Sequence, residues 1–375
     1  MKILKRNILL NPGPATTTNS VKWSQVVPDI CPREAEFGDL MAKIARELTE
    51  FVGNHDEYTT VLFSGSGTAA VEAILSSVIS DEDYLLIINN GAYGKRMCDI
   101  ANIYGVDIKE FQSVPYESID LNRLEHAIQT SDRRISHLAL VHHETTTGLL
   151  NDVGAIGRIC SKHNIELFVD GMSSYAAIPI QMKEMNISYL AASSNKNLQG
   201  TAGISFVVSN VNKLKQLKSM RKRNYYLNLY EQYKYFSETK QMRFTPPVQT
   251  MYALEQAINE LKEEGITARY DRYTKSWGCL IRGIKQMGLS YLVDDDNHSK
   301  IITAIIEPDN PHYKFDHMHD YFYKNNIMIY PGKLNHYNTF RIANMGDICY
   351  KDIDRFLELL QCYLDDLSIL KKIEH

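Results

Sequence analysis

The sequence contains no Cys-x-x-Cys pair, and its six cysteines (Cys31, Cys98, Cys160, Cys279, Cys349 and Cys362) are scattered. That spacing points away from a disulfide frame and toward reduced, mostly buried thiols of a cytoplasmic protein. No apolar run approaches the ~18 residues of a membrane span. The start, Met1-Lys2-Ile3-Leu4-Lys5-Arg6, is charged but carries no long apolar stretch or cleavage site, so no signal peptide is expected. Low-complexity segments and internal repeats are absent. The formal net charge of −4 gives no field for nucleic acid, and no basic patch interleaved with aromatics stands out. The most basic stretch, Arg221-Lys222-Arg223, lies beside an aromatic cluster from Tyr225 to Phe236. It reads as a solvated helix end or a subunit contact.

What is present is ordinary soluble-protein composition, 44% hydrophobic and 23% charged. A chain of 375 residues exceeds one core of ~100–200 residues, so two domains are expected. Up to Ser209, short apolar runs alternate with helical patterns. The predicted strands are Thr59–Phe63, Tyr84–Asn89, Val106–Phe111, His137–His142, Ile165–Asp170, Tyr189–Ser193 and Ile204–Ser209. The predicted helices are Thr68–Ile79, Tyr93–Tyr104, Leu121–Gln129 and Val153–His163. Repeated strand–helix–strand units imply a mostly parallel sheet covered on both faces. After Tyr252 the texture changes to one long helical pattern, Tyr252–Met287. Then come Lys300–Ile306 (strand), Tyr313–Lys324 (helix), Ile327–Tyr330 and Thr339–Ala343 (strands) and Asp352–Tyr363 (helix), a smaller α+β unit. The boundary is expected near 255–275.

Ligands of open parallel sheets bind at the carboxyl ends of strands, so polar residues just after strands matter. Ser64-Gly65-Ser66-Gly67-Thr68 reads as a phosphate cup, with small residues, hydroxyls and a helix N-terminus. As a dinucleotide fingerprint it is poor, because the next strand ends in Asn89-Asn90 with no ribose-binding acid; nor does it hold a Gly-Lys-Ser/Thr P-loop. Asp170 closes a buried strand and needs a cationic partner, which a protonated pyridine nitrogen would supply, or else caps the Gly171-Met172-Ser173-Ser174 turn. Lys196, 26 positions further on, is either a surface lysine or a Schiff-base amine whose pKa is lowered by burial and a nearby cation. Arg341, among apolar neighbours, forks onto a carboxylate or phosphonate, or forms a structural ion pair. His142-His143-Glu144 lacks the HExxH spacing, and no metal site is expected.

Together these segments resemble the class V aminotransferases of the type I pyridoxal-phosphate fold. The matching stretches are Leu9-Leu10-Asn11-Pro12-Gly13-Pro14, Gly65-Ser66-Gly67-Thr68-Ala69, Asn90-Gly91-Ala92-Tyr93-Gly94 and His143-Glu144-Thr145-Thr146-Thr147-Gly148. Further matches are Asp170–Ser174, Asn195–Gly200, Arg243-Phe244-Thr245, Tyr330-Pro331-Gly332-Lys333 and Phe340-Arg341-Ile342. Gly171 and Ala343 depart from the common pattern by small volumes. The resemblance implies an α/β fold with a helix-sandwiched, mostly parallel sheet plus a smaller α+β C-terminal domain. Its parts would be an arm (1–20), a large cofactor domain (21–260) and a small domain (261–375).

It also implies roles. Ser66, Gly67 and Thr68 would hold the phosphate of pyridoxal 5'-phosphate, Tyr93 would stack on its ring, and Thr145 would lie near its hydroxyl. Asp170 would pair with the pyridine N–H, and Lys196 would form the Schiff base and move the proton. Thr245 would reach a neighbouring subunit's phosphate, implying a homodimer with shared sites, and Arg341 would hold the substrate's acidic end. Within the family the resemblance favours the branch that transaminates between 2-aminoethylphosphonate and pyruvate. The segment Val27–Glu34 looks more like a biosynthetic than a catabolic phosphonate branch, which bears on direction and not on reaction type. The rivals are an alanine– or serine–glyoxylate aminotransferase, a cysteine desulfurase-like lyase, and a non-catalytic nucleotide-binding domain.

Overall fold

The computed structural model describes residues 5–332, 334 and 337–373. The charged start at Met1–Leu4 and the match at Lys333 lie outside the described residues. Seven strands form the main sheet: β1 (Tyr58–Ser64), β2 (Leu85–Asn89), β3 (Ile108–Gln112), β4 (His137–Val141), β5 (Glu166–Asp170), β6 (Ile187–Ser193) and β7 (Ile204–Asn210). Their order across the sheet is β1-β7-β6-β5-β4-β2-β3. All neighbours are parallel except β7, which runs against both β1 and β6. Helices α1 (Ala35–Glu50), α2 (Gly67–Val78), α3 (Ala92–Ile103), α4 (Leu121–Gln129), α5 (Val153–Lys162) and α6 (Val248–Glu264) cover this sheet, and α7 (Ile266–Gln286) follows directly.

The strands feed two cores at once. Leu86, Ile88, Leu138, Leu140, Leu167 and Val169 pack with α1, α5 and α6 on one face. Leu85, Ile87, Ala139, Val141 and Phe168 pack with α2 and α3 on the other. Successive side chains point to opposite faces, so a strand covered on both sides has no polar face, and its sequence is a continuous apolar run. Local chemistry starts the helices. Asp120 caps α4 by accepting from Arg123 N–H at 3.0 Å, and Asp152 caps α5 by accepting from Ala155 N–H at 2.8 Å.

The C-terminal part forms a three-stranded antiparallel sheet in which Thr339–Ala343 lies between Ile302–Ile306 and Tyr330–Pro331. Ile8–Leu9 pairs in parallel with Ile327–Met328, and Ile8 and Leu10 join Trp277, Phe322, Phe340 and Phe356 in one core. The N-terminal arm thus starts on this part and crosses to the main sheet, where Ala15 N–H donates to Asn195 O at 2.9 Å.

Two expectations are corrected. The helical pattern from Tyr252 to Met287 is two helices, because Gly265 at φ 83° ends α6 in the positive-φ conformation that glycine takes without strain. The strand expected over Ile327–Tyr330 is split, its first half pairing with the arm and its second with Thr339–Ala343. The basic run is neutralised locally: Arg221 and Arg223 pair with Asp81, and Lys222 pairs with Glu231.

The loop between β6 and β7 carries Lys196 and is fixed from several sides. Asn197 Nδ2 donates to Ser173 O at 2.9 Å. Gln199, at φ 63°, donates to Tyr273 Oη at 2.9 Å. Arg269, only 2% exposed, donates to Asn197 O at 2.6 Å and to Glu264 at 2.6 Å. Arg269→Ala removes a buried charge-assisted bond and strands the Asn197 carbonyl. It should lower unfolding stability by roughly 2–4 kcal/mol in urea titrations; a loss within ~0.5 kcal/mol would show that the anchor is redundant.

Candidate active site

The carboxyl ends of β1, β2, β4, β5 and β6 open into a cavity of about 720 Å³. Ser66, Gly67, Thr68, Tyr93, Thr145, Asp170, Lys196 and Thr245, all expected from the sequence, line it. Parallel strands bring their ends together, so residues far apart in sequence converge there. In the paired register Val141, Asp170 and Ala191 lie side by side across β4, β5 and β6.

Asp170 is 5% exposed, and its Oδ1 accepts from Met172 N–H at 3.0 Å. It therefore caps the following turn and faces the cavity as well. Burial pushes its carboxyl up to about 6, with Lys196 and Arg96 pulling the other way. Lys196 is half-buried, its amine reaching Pro12 O of the N-terminal arm. Removal from water brings the amine down to about 8; Asp170 opposes that, and Arg341 and Arg96 add to it. Gly13 is at φ 119°, and a Cβ there would lie 2.6 Å from Lys196 Nζ, so only glycine lets the arm close over the lysine.

At the mouth, Ser66 occupies the N-cap of α2 with no side-chain cap bond, leaving its hydroxyl and the first amides of the helix available to an anion. Thr145 is 1% exposed, and its Oγ1 has no partner. Buried hydroxyls without partners are rare, and one on a cavity wall suits a ligand oxygen. Thr245 lies at the rim of its own chain's cavity, beside Pro246 and Pro247.

Arg341 stands on the central strand of the smaller sheet and does not line the cavity directly. It is 2% exposed; Nε donates to Pro331 O at 3.0 Å and Nη1 to Thr145 O at 3.2 Å. The ring of Tyr330 lies 5.3 Å from its guanidinium carbon. Neutral carbonyls do not cancel its positive charge; Tyr93, Tyr330 and Glu144 favour it through space, against its burial. Its field already reaches Lys196.

Three residues were missed in the sequence. Arg96 lines the cavity one turn after Tyr93. His143 lines it too; its Nδ1–H donates to Ser173 O at 3.0 Å, Nε2 is buried without a partner, and burial depresses the ring to about 4. Glu144 is fully buried, accepts from the Thr146 amide at 3.1 Å and from Tyr93 N–H at 3.4 Å, and is raised by burial to about 7. It ties the Tyr93 helix to the Thr145 turn. Among the described residues, no group of three or more His, Cys, Asp and Glu is placed to hold a metal.

An anion cup, a buried carboxylate, a lysine brought toward neutrality and an unpartnered hydroxyl fit pyridoxal phosphate, with its phosphate, ring nitrogen, aldehyde and ring hydroxyl. Fold and cavity together suit a pyridoxal-phosphate enzyme, and the family match makes it an aminotransferase. The chain belongs to the class V aminotransferase family, whose model matches residues 22–341. It is 37% identical over 357 residues to the 2-aminoethylphosphonate–pyruvate transaminase of Salmonella paratyphi B, covering 94% of this chain and 96% of that one. It is also 37% identical over 361 residues to a bifunctional phosphonoacetaldehyde hydrolase/aminoethylphosphonate transaminase of Clostridioides difficile, covering 96% of this chain but spanning only 56% of that protein. In structure it is similar to the alanine–glyoxylate aminotransferase of Nostoc, with a TM-score of 0.90, 26% identity and coverage of 97% and 96% of the two chains.

The raised carboxyl of Asp170 gives a pH signature. Between its ordinary value of 3.8 and about 6, folded Asp170 keeps a proton that the unfolded chain has released. Unfolding then releases protons, so the cofactor-free protein should lose stability as pH rises through that window, by roughly 2–3 kcal/mol. Asp170→Asn should flatten the slope from pH 4 to 6 in urea titrations. An unchanged slope would mean that Asp170 is not desolvated.

Proposed function

We propose that this chain is a pyridoxal-phosphate-dependent transaminase that exchanges an amino group between 2-aminoethylphosphonate and pyruvate, with phosphonoacetaldehyde and alanine on the other side. The observation that carries this reading is the end-to-end match, 94% and 96% of the two chains, to a relative named for that reaction. The convergence of Lys196 and Asp170 in one cavity supports it. When bound, the cofactor supplies an electron sink for negative charge at the substrate's amine-bearing carbon.

The chain's own residues do the rest. Ser66, Gly67 and Thr68 offer amides and hydroxyls to the phosphate at the start of α2. Tyr93 would pack against the ring face, and Thr145 Oγ1, which has no partner of its own, would meet the ring hydroxyl. Asp170 accepts from the ring nitrogen and keeps it protonated, because a cation beside it relieves the cost of its burial. Lys196, held near neutrality, is a competent nucleophile toward an aldehyde around pH 8. With the cofactor bound, its Nζ would take the proton from the amine-bearing carbon of the substrate and deliver it to the carbon that carried the cofactor's aldehyde. The arm at Pro12 and Gly13 covers this amine and limits access of water. Arg341, pinned by Pro331 O and Thr145 O, turns its remaining N–H donors to the substrate oxyanion.

Thr245 serves the neighbouring subunit's phosphate in a homodimer. The adjoining surface supports a subunit contact: Tyr225 and Tyr226 are 76% and 43% exposed and lie against Phe244. Unpaired, scattered cysteines support a cytoplasmic setting. On this reading the chain divides into an arm (1–20), a large domain (21–260) and a small domain (261–375); two main cores support a large and a small unit, the arm sharing the core of the small one through Ile8 and Leu10. An alanine–glyoxylate reading keeps one specific support, the 0.90 TM-score to the Nostoc enzyme at 26% identity. A desulfurase-like reading has none: among the described residues no cysteine lines the cavity, and Cys349 borders a separate polar hollow with Arg6 and Asp352.

Borohydride reduction of the cofactor-loaded protein should leave the adduct on the peptide containing Lys196, and Lys196→Ala should abolish both adduct and turnover while the fold persists. An adduct on another lysine would reject the assignment.

Substrate choice tests Arg341. Losing a forked, charge-assisted contact in a closed site costs roughly 2–4 kcal/mol of transition-state binding, about 30- to 1,000-fold in kcat/KM. Arg341→Lys should weaken both half-reactions by such a factor while the absorbance of the bound cofactor stays unchanged. The wild type should react at least ~10-fold faster with 2-aminoethylphosphonate than with β-alanine in single-turnover traces, one lost charged contact being worth that much. Equal rates, or faster reaction with serine and glyoxylate, would reject the phosphonate reading and leave a general aminotransferase.

A further inference from the structure

Arg96 has no task in the mechanism above, yet it borders the same cavity as Lys196 and Asp170. It stands one turn after Tyr93 on α3, and its guanidinium carbon lies 4.8 Å from the centroid of the Tyr93 ring. Nη1 donates to Thr68 Oγ1 at 3.4 Å. That is long for an N–H···O bond and leaves most of the five guanidinium donors uncommitted. The acid one turn further along the helix, Asp99, is taken by Lys95. Among the described residues no carboxylate forms an ion pair with Arg96. Its charge nevertheless reaches into the site, favouring the ionised form of Asp170 and the neutral form of Lys196.

The two arginines whose charge reaches Lys196 stand at different ends. Arg341 bonds to the Thr145 carbonyl, on the side of the smaller sheet. Arg96 leans toward Thr68, in the first turn of α2, where unpaired amides already favour an anion. We propose that Arg96 is a further anion-binding residue of this site, pairing with the phosphate of the bound cofactor while the face of the same guanidinium braces the Tyr93 ring. This rests on the pyridoxal-phosphate reading above. A planar cation suits both tasks, since it forks onto phosphate oxygens in its plane and stacks on an aromatic ring through its face. Arg96 is exposed at the cavity mouth, so its contribution is that of a partly solvated charge pair.

The test compares two ligands that differ only in the phosphate. Cofactor-free wild type, Arg96→Gln and Arg96→Lys are titrated with pyridoxal phosphate and with pyridoxal, following the absorbance of the lysine adduct. Arg96→Gln should weaken pyridoxal phosphate roughly 5- to 30-fold and change pyridoxal by less than ~2-fold. Arg96→Lys keeps the charge but not the fork or the stack, and should show a smaller loss, again confined to the phosphorylated ligand. It keeps the comparison open if the glutamine variant does not fold. Equal weakening of both ligands would overturn the proposal and leave Arg96 a brace for Tyr93 alone. Unchanged affinity for pyridoxal phosphate with a raised KM for the amino donor would overturn it in favour of a substrate contact. Failure of the wild type to form an adduct with either ligand would reject the underlying cofactor reading, which sets that failure apart from a failure of Arg96.

Discussion

The fold carries two opposite charges, Lys196 and Asp170, out of water at the ends of neighbouring strands. Among the described residues no salt bridge joins them. Each is shifted toward its neutral form by burial, and each holds the other back only in part. Such a pair weakens the empty protein, since an isolated buried charge is costly. It is tolerated because the surrounding structure is rigid. The lysine loop is pinned by Asn197, Gln199 and Arg269, and the aspartate is tied to its own turn through Met172. A guest bearing a ring cation and an aldehyde relieves both charges at once, so binding free energy is drawn from the same source that destabilises the empty cavity.

Much of this was legible in the sequence, for a physical reason. Strands buried on both faces are continuous apolar runs, so inner strands such as β2, β4 and β5 declare themselves, and chemistry at a parallel sheet sits just beyond each run. Ser66, Asp170 and Lys196 drew notice by that position, but only the resemblance gave them roles. Gly265 was the signal overlooked in the long helical pattern: an isolated glycine inside a helix is tolerated, and only its positive φ shows that it is a terminus. Helix α1 was overlooked although Phe37, Met41, Ile44 and Leu48 form a helical stripe with charged residues such as Glu36, Asp39 and Arg46 off it, the pattern of an amphipathic helix.

Arg96, His143 and Glu144 were missed for another reason. Their roles depend on partners far away in sequence. Arg96 is an ordinary exposed helix residue until α2 brings Thr68 beside it. Glu144 looks like part of a polar turn until α3 presents the Tyr93 amide to it. The adjacent His142 and His143 raise a metal question in one dimension; in three, the His143 ring is committed to the Ser173 carbonyl. The resemblance flagged the segment containing His143 and Glu144 but stopped at Gly94, short of Arg96, and a motif match does not say which way a side chain faces.

The single reversed strand, β7, has its own consequence. A parallel neighbour to β6 would need a long crossover, usually a helix, before the chain could re-enter the sheet. Because β7 runs backwards, residues 194–203 suffice for the return, and the Lys196 amine rides on a short hairpin-like connection. Any travel of that amine falls to the four carbons of the lysine side chain, because the loop is held at Asn197 and Gln199.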